Sequence, residues 1–94
     1  MISWCYILRL QSGGLYIGAT KNIEKRYEEH RSGSAGRTTS TDPPISLAYY
    51  EEFESFSKAR QREAQVKRWS RAKKEALIAG DKGKLRALSK PHKN

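Results

Sequence analysis

Apolar and polar positions alternate from residue 3 to residue 10, with Trp4, Tyr6, Leu8 and Leu10 on one side and Cys5, Ile7 and Arg9 on the other. A period of two belongs to an extended strand. Residues 15 to 19 carry its hairpin partner, joined through a turn containing glycine. Each run holds a tyrosine, Cys5-Tyr6-Ile7 in one and Tyr16-Ile17-Gly18 in the other, and the turn decides whether the two phenols share a face. They share it when the turn centres on Gly13, so that residue 10 pairs with 16 and residue 6 with 20. A three-residue loop Ser12-Gly13-Gly14 meets that condition and places a glycine at the left-handed position. A two-residue loop sets the tyrosines on opposite faces.

After the hairpin the period becomes helical. Asn22 is a helix N-cap, Glu24 lies in the favourable first turn, and Ser32-Gly33 ends the element. Ile23, Arg26, Tyr27 and His30 recur at i, i+3, i+4 and i+7, so an arginine and a histidine share the stripe that must meet the sheet. Residues 33 to 44, rich in Gly, Ser, Thr and Pro, read as a mobile loop, and Ile45 to Glu52 as a third strand. A second helix starts near Ser55 or Ser57 and runs to about Arg68. Its stripe is Phe56, Ala59, Glu63 and Val66, which sets a carboxylate at an inward position. Ser70 caps a third helix that closes at Gly80, with Leu77 and Ile78 as apolar contacts and Lys73 and Lys74 in its middle. The order is β-β-α-β-α-α, an α/β chain of the α+β kind. Residues 1–80 are expected to form one domain, followed by a basic tail, 81–94, with a short helical turn around Leu85 to Leu88.

Composition narrows the partners. Nineteen Lys and Arg against ten Asp and Glu give a net charge of +9 on 94 residues, which favours a polyanion, nucleic acid above all. The plain alternative is a basic surface that serves solubility. The single Cys5 lies within an apolar strand, so no disulfide framework or cysteine-rich metal site is expected. The apolar run from Trp4 to Leu10 is interrupted by Arg9 and is too short to span a bilayer, so the expected location is the cytoplasm, with no membrane association.

The ordered set Cys5-Tyr6-Ile7, Tyr16-Ile17-Gly18, Arg26, His30 and Glu63, with Trp69-Ser70-Arg71-Ala72-Lys73-Lys74 after it, resembles the GIY-YIG endonuclease domain family in its small stand-alone bacterial form. The likeness covers about residues 3 to 79. It implies a three-stranded antiparallel β-sheet flanked by helices, which hydrolyses phosphodiester bonds with one divalent cation, Mg²⁺ or Mn²⁺. The residue types suit that chemistry: an activated water, a counter-charge for the phosphoryl oxygens and a stabilised leaving oxygen are required. Glu63 is the inward carboxylate beside the cluster, and one carboxylate with waters and substrate phosphate is how Mg²⁺ is usually held. Arg26 brings a permanent charge with a fork that fits phosphate. By analogy with the family, Tyr6 is the general base, Tyr16 bonds the phosphate or the attacking water, and His30 orients Tyr6 or accepts its proton.

Lys21, Lys25 and Arg37 flank this cluster, and Lys67, Arg68, Arg71, Lys73 and Lys74 form a second basic group able to follow a phosphate backbone. No zinc finger or helix-turn-helix is present, so DNA is expected to be chosen by structure (branched, nicked or single-stranded), with RNA not excluded and a targeting protein as a further partner. The working unit is expected to be a monomer or a weak dimer. Three places depart from the family pattern, one of them the loop Thr38-Thr39-Ser40-Thr41, which is less basic and less aromatic than expected for this subgroup. Cys5 stands where the family name has glycine, and Ala19 stands where some relatives have a lysine that helps deprotonate the tyrosine. The rival reading is therefore a nucleic-acid-binding module of the same fold with little or no turnover, and a third is a protein-interaction module. Taken singly, each residue has an ordinary role: strand aromatics for Tyr6 and Tyr16, packing for His30, and pairing with Lys67 for Glu63.

Overall fold

The computed structural model describes residues 1–89; the remainder of the predicted tail, 90–94, lies outside them. β1 (Ser3–Leu10) is followed by β2 (Leu15–Thr20), α1 (Ile23–Arg31), a short α2 (Arg37–Thr41) and β3 (Pro44–Phe53). Then come α3 (Phe56–Lys67), α4 (Arg71–Ala79) and α5 (Lys82–Ser89). The three strands form one antiparallel sheet in the order β2-β1-β3, so the first strand of the chain is the central one. Pro44 opens an edge strand, where its missing N–H costs no ladder bond.

The alternation along β1 now has a physical meaning. Tyr6, Leu8 and Leu10 point to one face, where Tyr16, Ile23, Tyr27 and Leu47 pack on them. Cys5 and Ile7 point to the other and join Ile17, Val66 and Leu77, with Trp69, Ile78 and Leu85 at the margin. Ile7 and Leu8 are both 0% exposed, on opposite faces, and each burial is worth roughly 1.5–3 kcal/mol. Burial pushes the Cys5 thiol up to about 11, which leaves it a small packing group. The helices keep the predicted boundaries because their caps are local: Asn22, Ser55 and Ser70 accept from the amides of Lys25, Lys58 and Lys73, and Gly80 ends α4 in the left-handed region at φ 70°.

The hairpin corrects the expected register while keeping its parity. Leu8 pairs with Tyr16 and Tyr6 with Gly18, so the loop is Gln11-Ser12-Gly13 and not Ser12-Gly13-Gly14. The Leu10 amide donates to the Gly14 carbonyl at 2.8 Å, the Gly13 amide returns to the Leu10 carbonyl at 2.9 Å, and Gly13 takes φ 94°. Residues far along the chain choose this register. Asp42 accepts from the Ser12 amide and hydroxyl, and Arg71 donates to the Gly13 carbonyl. Shifting the loop centre by one residue moves the register by two, so the tyrosines still share a face.

A second correction concerns residues 33 to 44. This stretch is not simply a mobile loop, because it contains α2, and Thr39 in that helix is 1% exposed. At the far end, α5 extends the single turn expected around Leu85, and Leu85 packs at the edge of the core. Arg9 and Glu75 form a two-pronged ion pair at 2.8 and 3.0 Å that ties β1 to α4. The guanidinium of Arg9, with help from Arg71, holds the Glu75 carboxyl down to about 2.

Candidate active site

The strand pairing places Tyr6 opposite Gly18 and next to Tyr16, and that opposition shapes the site. The Tyr6 ring leans across β2 over the Gly18 backbone: a Cβ built on Gly18 meets Tyr6 Cζ at 2.5 Å and Cε2 at 3.0 Å. Tyr6 and Tyr16 lie near-parallel with ring centroids 6.5 Å apart, and the His30 ring meets Tyr16 edge-on at 4.9 Å. His30 reaches them because it is on the inward stripe of α1, as its spacing predicts. Its Nε2 is 2.8 Å from the Tyr6 hydroxyl and its Nδ1 is 2.8 Å from Thr39 Oγ1, both contacts being buried. The result is a hydrogen-bonded row, Tyr6 to His30 to Thr39, in which Tyr6 and His30 are only 2% and 1% exposed.

The electrostatics follow from that burial. Desolvation pushes the Tyr6 phenol up to about 12, against the pull of the Arg26 guanidinium beside it, while Tyr16 and the charge of Glu63 add to the rise. At neutral pH Tyr6 is a phenol. Burial, seconded by Arg26, brings His30 down to about 4, so the imidazole is neutral and one ring nitrogen accepts while the other donates. Stability must respond with a definite sign. The folded value lies below the ordinary 6.5, so the contribution is present above that pH and is lost as pH falls towards 4. Urea unfolding should show a loss of ~2–3 kcal/mol from this group between pH 7 and pH 4.5, and His30→Gln should flatten that part of the profile. An unchanged slope in the variant would exclude a buried neutral imidazole.

Beside this row lies an open cleft of about 570 Å³, lined by Ala19, Thr20, Lys21, Asn22, Lys25, Arg26, Glu29, Phe56 and Arg60. Of the basic residues picked out in the sequence, Lys21, Lys25 and Arg26 come together here, and Arg60 joins them. Arg26 also bonds Glu29 at 3.1 Å, which steadies the guanidinium at the cleft wall. Arg37 is exposed at the start of α2. The second basic group is elsewhere and largely occupied: Lys67 pairs with Glu63, Arg71 pairs with Glu75, and Lys73 lies 4.0 Å over the Trp69 ring. Arg68 is exposed and Lys74 half-buried.

Glu63 approaches from the other layer, since α3 packs along β2 and β1 with Ala59 and Val66 buried on either side of it. Its side chain is 14% exposed and is held between Lys67 at 2.9 Å and Arg60 at 3.3 Å, both from its own helix. Its charge is nonetheless felt at Tyr6 and at Cys5. Among the described residues no group of three or more His, Cys, Asp and Glu is placed to hold a metal ion. A cation here would depend on one carboxylate, waters and the substrate, which suits Mg²⁺ and not zinc. The chemistry of this donor, a largely buried carboxylate whose partners among the described residues are two long flexible cations, fits such an ion.

Three features escaped the sequence reading. Thr39 sits in a Ser/Thr-rich run without periodicity, Arg60 lies one step off the inward stripe, and the role of Gly18 is visible only once its partner strand is known.

A buried phenol-imidazole-hydroxyl row runs from the central strand through α1 to α2 beside a basic cleft, and residues 2–76 match the GIY-YIG catalytic domain, a nuclease fold. The chain belongs to that family. Within it, the chain is similar to small proteins of the UPF0213 group. One from Natronomonas pharaonis is 41% identical over 80 residues, covering 85% of this chain and 94% of its own. One from Syntrophus aciditrophicus is 44% identical over 77 residues, covering 81% and 88%. The solution structure of a UPF0213 protein from Bacillus halodurans superposes with a TM-score of 0.55 at 32% identity, over 97% of this chain and 100% of that one. A protein from E. faecalis gives 0.58 at 30%, over 100% and 95%. Among the described residues no helix is long and apolar enough to cross a membrane.

Proposed function

We propose that this chain is a metal-dependent endonuclease that hydrolyses phosphodiester bonds in DNA and selects its substrate by structure. The observation that carries this reading is the Tyr6 hydroxyl, 2.8 Å from a neutral His30 and beside Arg26 at the edge of a basic cleft. In the reaction a bond forms between a water oxygen and phosphorus, and a phosphorus–ester oxygen bond breaks, the leaving oxygen taking up a proton from solvent. Tyr6 takes the proton of the attacking water as it passes its own to His30 Nε2, and Thr39 accepts from the Nδ1–H of the resulting imidazolium. Arg26 meets the charge that develops on the phosphoryl oxygens, with Tyr16 bonding the phosphate or the water. A divalent cation held by Glu63 would neutralise the phosphate and stabilise the leaving oxygen. Lys21, Lys25 and Arg60 grip neighbouring phosphates, and phosphate contacts carry no sequence information, which is why structure is the expected criterion.

One observation favours the rival, a binding module with little turnover. Glu63 already carries two cationic partners that a metal ion has to displace. The test is cleavage of labelled single-stranded, nicked, flapped and four-way-junction DNA with Mg²⁺, with Mn²⁺ and with chelator. Metal-dependent cutting of some members and not others is the expected outcome. Firm binding to the whole panel without cutting under either ion supports the rival instead.

A further inference from the structure

The sheet face that carries Tyr6 is only partly roofed. Ile23 and Tyr27 of α1 pack with Leu8, Leu10 and Leu47 at one end, whereas the rows beyond Tyr6 stay open. Strand register defines those rows. Tyr6 is flanked by Gly18 and Tyr50, and Trp4 is flanked by Thr20 and Glu52, all on the same face because paired residues share one. Tyr50 is 58% exposed and Trp4 half-buried, and their rings meet edge-to-face with centroids 5.8 Å apart. Exposed aromatics scattered singly need no explanation, but these two adjoin each other and the Tyr6 position. Thr20, the other neighbour of Trp4, is a wall of the basic cleft, so the aromatic surface and the cleft are continuous.

We propose that Trp4 and Tyr50 form a stacking platform for an unpaired base of the strand whose phosphates lie in the cleft. The proposal deepens the nuclease reading and rests on it for the nature of the ligand. A base inside a duplex is stacked and paired and cannot lie on a flat sheet surface, whereas an unpaired one can. The preferred substrate is therefore DNA that is single-stranded next to the cut. Glu52 supports the division of labour. Its exposed carboxylate repels phosphate from the platform row, leaving the backbone on the side of Lys21, Lys25 and Arg26, and it offers an acceptor to the amino group of cytosine or adenine.

The test uses the full chain in chelator, so that nothing is cut, and measures anisotropy of a labelled strand of about twelve nucleotides, a matching abasic strand of equal charge, and a duplex. The base-bearing strand should bind about tenfold tighter than the abasic one. Tyr50→Ala and Trp4→Leu should each bring that ratio towards one while leaving the salt dependence, which reports phosphate contacts, unchanged. Equal binding of the two strands by the wild type, or a ratio that survives Tyr50→Ala, overturns the platform. So does a concentration-dependent dimer in sedimentation that Tyr50→Ala dissolves, since a second copy would then cover this face. Failure of either reading is separately visible. Cutting with Mg²⁺ but no discrimination of bases removes the platform alone, and discrimination without cutting removes the nuclease reading alone.

Discussion

Tyr6→Phe should lower the rate of strand cutting by about a thousandfold, within the usual range for loss of a positioned acid or base, while DNA binding in chelator is nearly unchanged. The substitution removes one oxygen. The ring still fills its place over Gly18, so packing is kept, but His30 Nε2 loses its partner 2.8 Å away, at a stability cost of ~1–3 kcal/mol. A thermal melt separates that cost from the loss of chemistry. The wild-type pH profile gives an independent sign: the relay needs neutral His30 beside phenolic Tyr6, and with these groups at about 4 and about 12 both forms prevail across neutrality, so the cutting rate should be level there and fall as pH drops towards 4. Glu63→Ala should cut as poorly, yet it removes the response to metal concentration and leaves the row of Tyr6, His30 and Thr39 intact. Retention of normal cutting by Tyr6→Phe would assign the base role elsewhere, with Tyr16 the next candidate.

Gly18→Ala is the second substitution with a large expected effect, and it changes no group that bonds substrate. The added methyl has to occupy space within 2.5 Å of the Tyr6 ring, and that ring has little freedom, being 2% exposed on the central strand and anchored to His30. Such overpacking costs ~1–3 kcal/mol, which for a domain of this size lowers Tm by roughly 4–8 °C per kcal/mol. Displacement of the hydroxyl by about 1 Å is enough to lose on the order of a hundredfold in rate. Calorimetry and the cleavage assay measure the two losses on the same sample. A variant that melts and cuts like the wild type would mean that the phenol does not work from its place over Gly18.

What the sequence made legible was local. The strand alternation of β1, the Asn22, Ser55 and Ser70 caps and the left-handed Gly80 each act within a few residues of themselves, so the elements fell close to their expected bounds. The stripe that brings His30 inward is likewise a property of one helix. What was illegible depends on partners distant in the chain. Adjacent Gly13 and Gly14 offer two loops of equal local merit, and Asp42 and Arg71 decide between them. Thr39 carries no apolar signal, and its burial against the far nitrogen of His30 is visible only in three dimensions. Of the cations around Glu63, Lys67 follows from helical spacing at i+4, whereas Arg60 at i−3 lies one step off the inward stripe.

β1 gives one strand two duties, with Tyr6 on one side and the fully buried Ile7 next to it on the other. A change of register or twist that retunes the first disturbs the second within the same peptide unit. Descendants of such a chain have little room to explore new chemistry through this strand, because a lineage that loosens it loses the fold in the same step. Novelty is free to accumulate on the edge strand β3, where Ile45 and Tyr50 face solvent and substitution leaves the centre alone. A family built this way should diversify in what it grips long before it changes how it cuts.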